Sequence, residues 1–194
     1  DLIKLEEKGL ILRTRGGVMA VKKSPDDKIA FFLRESEKPL EKKLIAQKAA
    51  KLVKDGDTVM LDASTSAYVM IPFLAEKRNL IVITNGVKAL AKLSENHITC
   101  IGTGGNVVHS CLAFVGEDAL RTIAEYNADF CFFSCRGLSE DGKITDIAQS
   151  ENAVRRKMIE HAKSSYLLCT SDKIGKTCYH NLCTADDITG IIQA

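Results

Sequence analysis

No stretch of this 194-residue chain approaches the roughly 20 consecutive apolar residues that a membrane span requires. The opening Asp1-Leu2-Ile3-Lys4-Leu5-Glu6-Glu7 also lacks the basic-then-apolar pattern of a secretory signal. Both absences point to a cytoplasmic protein with no membrane partner. Paired thiols are missing as well. The seven cysteines (100, 111, 131, 135, 169, 178 and 183) include no Cys-x-x-Cys, and most lie in apolar runs such as Phe130-Cys131-Phe132-Phe133-Ser134-Cys135, where thiols act as small hydrophobes. Cys178, His180 and Cys183 could sketch a metal site, but no second pair accompanies them, so no metal is expected. Gly102-Thr103-Gly104-Gly105 lacks the full dinucleotide fingerprint and its following acid, which argues against a nicotinamide cofactor, and no other cofactor is expected. There is no internal repeat or low-complexity tract.

What is present reads as a globular chain, 45% hydrophobic and 27% charged, able to bury one sizeable core. Its net charge of +2 conceals an asymmetry: residues 1–54 carry 14 Lys+Arg against 8 Asp+Glu, and the remainder 13 against 17. The basic end is therefore the candidate polyanion contact. Much of that charge falls on a helix predicted over 40–54, with Leu44, Ile45, Lys48, Lys51 and Leu52 as its core face and the other lysines solvated.

The first 20 residues do not resemble the start of a domain. Leu2, Leu5 and Glu6-Glu7-Lys8 read as the last turns of a helix stopping at Gly9, followed by a hairpin in Leu10 to Val18 that carries Arg13 and Arg15. That order matches the recognition-helix end and wing of a winged helix-turn-helix, with the arginines placed for DNA phosphates; a generic surface hairpin is the plainer alternative. A polar, proline-broken linker follows over 21–38, with Ile29 to Leu33 as a short strand.

From Pro39 onward apolar strands at 58–61, 80–83, 98–101, 129–134 and 165–169 alternate with helical patterns at 65–76, 86–95, 112–126 and 148–163. The fold class is therefore α/β: a mostly parallel sheet with helices on both faces and ligands expected outside the strand carboxyl ends. The most telling strand end is Asp62-Ala63-Ser64-Thr65-Ser66. Free amides, the positive end of the helix dipole and three hydroxyls could hold a phosphate there, with Asp62 accepting from sugar hydroxyls; a well-capped helix would need the same residue types. Thr84-Asn85-Gly86 ends the next strand, where Val87, Leu90 and Ala91 favour a strand-to-helix turn with Asn85 as a ligand group. Gly104 and Gly105 follow the third strand, as a tight turn or a close backbone approach to ligand. Arg136, Glu151 and Lys173 add charge at later strand ends, Lys173 as a point charge for phosphate.

The hairpin Arg13-Thr14-Arg15-Gly16-Gly17, with Glu41-Lys42-Lys43-Leu44-Ile45-Ala46, Leu61 to Ser66, Thr84-Asn85-Gly86, Gly104-Gly105, Gly142-Lys143-Ile144-Thr145, Glu151 and Ser171-Asp172-Lys173-Ile174-Gly175, resembles the DeoR family of bacterial transcriptional regulators over nearly the whole chain. The resemblance implies a sheet like that of ribose-phosphate isomerases and CoA transferases. It further implies a non-catalytic sensor domain over 39–194, in which a phosphorylated sugar or related metabolite controls an operator-binding head, of which 1–20 would be a remnant. Carried over by position, Asp62 and Asn85 would hold sugar hydroxyls and Ser64, Thr65 and Ser66 the phosphate. Lys173 would meet an anionic part of the ligand, with Gly86, Gly104, Gly105 and Glu151 in the same site. Regulation through operator DNA implies a symmetric homo-oligomer. The chain departs from the family pattern at Ser64, where glycine is common, and at Thr170, where an aspartate is common. A sugar-phosphate isomerase-like enzyme of the same fold, with Glu151 as its base, is the competing reading, and a ligand-binding module without DNA is a third.

Overall fold

The computed structural model describes residues 11–14, 17–20 and 31–194. Ile11–Thr14 (β1) and Gly17–Ala20 (β2) pair antiparallel, Thr14 opposite Gly17, which is the hairpin expected there. The expected helix end before Gly9, Arg15 and most of the linker lie outside the described residues.

Six parallel strands form the main sheet: Thr58–Leu61 (β3), Ile81–Thr84 (β4), Thr99–Gly102 (β5), Ala128–Phe133 (β8), Ala162–Leu168 (β11) and Gly190–Ile192 (β13), in the order β13-β11-β8-β3-β4-β5. Because successive side chains on a strand point to opposite faces, each central strand feeds two cores. Val59, Leu61 and Phe132 face one way, and Met60, Cys131 and Phe133 the other. Pro39–Ala50 (α2), Thr65–Leu74 (α3) and Val87–Glu95 (α4) cover the first face through Ile45, Met70, Leu74 and Leu93. Glu117–Ala124 (α5) and Gln149–Glu160 (α6) cover the second through Ile123, Val154 and Met158. The α/β class with helices on both faces holds.

Several local expectations do not. Residues 31–36 form a short helix (α1, Phe31–Ser36) in place of a strand, because Phe31 is buried edge-on against Tyr68 of α3, ring centroids 5.7 Å apart. So short a helix owes its stability to such tertiary packing. The helix expected over 112–126 begins only at Glu117: Leu112 and Gly116 take positive φ (52° and 94°), and the residues between them form Ala113–Val115 (β7), paired with Asn106–Val108 (β6). Gly137–Leu138 (β9), Lys143–Asp146 (β10) and His180–Thr184 (β12) make a second, antiparallel sheet that the alternating pattern does not foretell. The inner face of α2 is Lys42, Ile45, Ala46, Ala49 and Ala50, while Leu44 and Leu52 face outward. Alanines allow α2 to lie close on the core, so its burial is carried by small residues that a search for large apolar ones overlooks. Among the described residues no cluster of His, Cys, Asp or Glu side chains is arranged to hold a metal, and no helix is long and apolar enough to cross a membrane.

Candidate functional site

Three neighbouring strands, β11, β8 and β3, end at one cavity of about 430 Å3. Ser64, Thr65 and Ser66 come from the β3 end, Ser134, Cys135 and Arg136 from the β8 end, and Thr170, Asp172 and Lys173 from the β11 end. Arg34 of α1, Glu37 and Lys38 of the turn that follows, and Lys42 of α2 close it. Seven Lys or Arg side chains line it against three acids, the electrostatic profile of an anion site.

The β3 end shows how capping and binding share one loop. Ser64 is the N-cap of α3, its hydroxyl accepting from the Ala67 amide at 3.1 Å, so that oxygen already serves the helix. The first-turn amides beyond it point outward with no helical carbonyl to reach, and the helix dipole favours a negative charge beside Thr65 and Ser66. Opposite them Lys173, in the turn Ser171–Lys173, donates to Ser134 Oγ at 2.6 Å, and that hydroxyl donates to the Leu168 carbonyl at 2.7 Å. The turn is fixed to α2 by Glu41, which accepts from the Ser171 amide and hydroxyl, each at 2.8 Å, and from Lys38 at 3.0 Å. These bonds, led by that of the Ser171 amide, hold the Glu41 carboxyl down at about 2.

Asp62 lies beneath this surface, 1% exposed, rather than on it. Its carboxylate accepts from Arg155 Nε at 2.9 Å and from the amides of Ser64 (3.1 Å) and Ser134 (3.3 Å), so it joins the β3 and β8 loops. Arg155 also reaches Asp146 at 2.9 Å, Asn152 at 3.2 Å and Glu151 at 3.4 Å. Burial on its own would depress that guanidinium, but Asp146, Asp62 and Glu151 together raise its pKa above the ordinary arginine value. Arg136 approaches the same Asp146 at 3.7 Å.

Of the residues expected from sequence, the structure therefore brings Ser64, Thr65, Ser66 and Lys173 to the cavity wall, and does not bring Asp62, Asn85, Gly86, Gly104, Gly105 or Glu151 there. The reason for the β4 and β5 ends is the β6–β7 hairpin, which folds over them. Asn85 is buried, its side-chain amide donating to the Phe114 carbonyl at 3.0 Å while its backbone carbonyl accepts from the Phe114 amide at 2.7 Å; Gly86 bridges to Ala113. Glu151 is engaged by Arg155. Arg13 lies in β1, and Arg15 is outside the described residues. Sequence reasoning missed Arg34, Lys38, Lys42, Asp146, Arg155 and Lys176 as site components. One had a signal: Lys42 falls three residues before Ile45, on the inward stripe of α2.

The two glycines of the β5 end differ in how tightly the surrounding backbone confines them. At Gly105 (φ 104°) a Cβ would stand 2.6 Å from the Val115 carbonyl, whereas at Gly104 (φ 66°) nothing lies within 4 Å. Gly105→Ala is expected to destabilise the fold by about 2–4 kcal/mol, from strain plus collision, and Gly104→Ala by only about 1–2 kcal/mol. Urea unfolding of both variants checks the order, and equal losses would remove the steric account.

A family model described as the DeoR C terminal sensor domain matches residues 37–194. The chain is 34% identical to the HTH-type transcriptional regulator YulB of Bacillus subtilis (strain 168), over 99% of this chain and 74% of that one. It is 32% identical to the HTH-type transcriptional repressor GlcR of the same organism, over 99% and 74%. Identity is 28% with the lactose phosphotransferase system repressor of Staphylococcus aureus (strain NCTC 8325 / PS 47), over 100% and 77%. Among solved structures, ribose 5-phosphate isomerase A from Methanocaldococcus jannaschii has a TM-score of 0.52 at 18% identity, covering 69% of this chain and 53% of that one. The structure of eIF2B delta from Chaetomium thermophilum has a TM-score of 0.62 at 16% identity, covering 84% and 58%. The chain thus spans about three quarters of the length of these regulators and little more than half of either solved chain, whose likeness concerns the fold.

Proposed function

The chain belongs to the DeoR C-terminal sensor domain family of transcriptional regulators, and from that premise we propose that the strand-tip cavity senses a phosphorylated sugar and so controls the operator affinity of a DNA-binding head. One observation carries the ligand class. Lys42 and Lys173 both line the cavity beside the first turn of α3, and among the described residues neither has a carboxylate within salt-bridge distance, so the wall has cationic charge that its own acids do not neutralise. A phosphoryl group supplies two negative charges and several acceptor oxygens at that place. The remaining lining, with Ser134, Thr170 and Asp146, is polar enough for sugar hydroxyls.

The relatives are named as regulators and repressors, and the chain is accordingly a regulator rather than an enzyme, although it shares its fold with an isomerase. Glu151, the candidate isomerase base, is committed to Arg155 away from the cavity wall. Residues 1–20 as the end of a winged helix-turn-helix, the DNA contacts of Arg13 and Arg15, and a symmetric homo-oligomer matched to a two-fold operator complete the proposal.

The test is a thermal-shift panel of phosphorylated sugars beside their dephosphorylated parents. At 100 times its dissociation constant a phosphorylated sugar should add about 2.7 kcal/mol of stability, and its parent far less. Equal stabilisation by both members of every pair would sink the phosphate assignment.

A further inference from the structure

Lys42 is an anomaly in its surroundings. It is 4% exposed on the inward face of α2, beside Ile45, Ala46 and Ala49, where a lysine is rarely found unless paired. Its ammonium donates to the backbone carbonyl of Arg34, and among the described residues no carboxylate lies within ion-pair distance. The charged groups around it come from every neighbouring element: Arg34 from α1, Glu37 from the turn that follows, Lys173 and Asp172 from the Ser171–Lys173 turn, and Lys38 with Glu41 from the start of α2. Arg136 and Lys176 line the same cavity. Burial first, then repulsion by Lys173, brings the Lys42 pKa down to about 8, with Glu37 opposing.

Resting on the phosphorylated-ligand reading above, we propose that Lys42 is both a ligand for the phosphoryl group and the link that reports its arrival, its ammonium exchanging the Arg34 carbonyl for the anion and so releasing the last turn of α1. The chemistry favours the exchange. A charge-assisted bond to a dianion is roughly twice as strong as one to a neutral carbonyl. A dianion also relieves the repulsion between Lys42 and Lys173, which a single carboxylate would only half offset.

The consequence for α1 follows from its length. Its last carbonyls lie beyond the reach of the helix's own amides: that of Leu33 accepts from the Ser36 hydroxyl at 2.8 Å, and that of Arg34 is capped by Lys42, with the Glu37 amide at 3.3 Å and the Thr65 hydroxyl at 3.5 Å as weaker companions. Six residues cannot hold a helix alone. The start of α1 stays tied by Phe31, whose amide donates to the Ser110 carbonyl at 2.9 Å, and Glu35 in its last turn keeps a side-chain tie to Lys88 at 2.8 Å. The change is therefore confined to the turn entering α2. Residues 21–30 join α1 to the β1–β2 hairpin, so the released turn is close in sequence to the proposed reading head.

The sign of the proton linkage is definite. A lysine whose folded pKa is about 8 is largely neutral at pH 8.5, and a bound dianion restores its charge, so binding must take up a proton. Inorganic phosphate is the probe, since at pH 8.5 it is already dianionic and takes up no proton itself. Calorimetry in two buffers of different ionisation enthalpy should show the wild-type chain binding phosphate with roughly half to three quarters of a proton taken up. Lys42→Gln should bind at least ~10-fold more weakly with no uptake, and Lys42→Arg, which stays charged, should bind without uptake. Hydrogen exchange over 31–38 should quicken on adding phosphate to the wild-type chain and not to Lys42→Gln. Unchanged affinity and uptake in Lys42→Gln would remove Lys42 from the site while leaving the anion site standing. Binding without faster exchange over 31–38 would overturn the release. No binding of phosphate or of any phosphorylated sugar by the wild-type chain would overturn the ligand reading itself, and this proposal with it.

Discussion

Arg155→Met is expected to lower folding stability by about 3–5 kcal/mol, the largest single-residue effect foreseen outside the apolar core. The guanidinium is buried on α6 and bonded at once to Asp62, Asp146, Asn152 and Glu151. Methionine fills much of the volume, so packing is not what is lost. What remains is two almost fully buried carboxylates, Asp62 without its cation and Asp146 with only Arg136, at 3.7 Å. Urea denaturation gives the magnitude. The triple change Arg155→Met, Asp62→Asn, Asp146→Asn should recover part of the loss, because the uncompensated charges leave together. A loss below about 1 kcal/mol in the single variant would mean that water already reaches the network. Asp62 belongs to this prediction rather than to a ligand-contact series: its place at a strand end suggests an acceptor for sugar hydroxyls, and the structure makes it a joint between the β3 and β8 loops.

That reassignment shows where sequence is informative and where it stops. Parallel strands buried on both faces must be apolar throughout, so Thr58–Leu61, Ile81–Thr84 and Ala128–Phe133 are visible as runs, and with them the order of strand and helix and the place of the strand ends. Ser64–Ser66 and Lys173 were legible because their chemistry is local: hydroxyls where a helix begins, and a lysine just past a strand. Asp62 and Arg155 meet across 93 positions, and Lys42 meets the Arg34 carbonyl only because α1 turns back onto α2. Neither meeting leaves a periodic trace. Asn85, Gly86, Gly104 and Gly105 do lie at strand ends, as read, but the short hairpin β6–β7 takes the space above them. Strands of three residues with mixed polarity carry too little alternation to be recognised in advance.

Lys173→Ala is expected to weaken binding of inorganic phosphate by 10- to 100-fold, about 1.5–3 kcal/mol, while leaving the unfolding midpoint nearly unchanged. The two parts have separate causes. Lys173 is half-buried on a surface turn, and its partner Ser134 keeps its own bond to the Leu168 carbonyl when the lysine is gone, so no buried donor is orphaned. The anion, by contrast, loses one of the cavity's ammonium groups that have no carboxylate within ion-pair distance among the described residues. Lys173 is also the neighbour whose charge most depresses Lys42 after burial itself. Its removal should therefore raise the Lys42 pKa, leave Lys42 more fully charged at pH 8.5 before phosphate arrives, and reduce the proton uptake on binding below the wild-type value. Calorimetry in paired buffers reads affinity and uptake in one experiment. Weaker binding with undiminished uptake would place the two lysines on separate anion sites, and undiminished affinity would move the phosphoryl group toward Arg136 and Lys176, which line the same cavity.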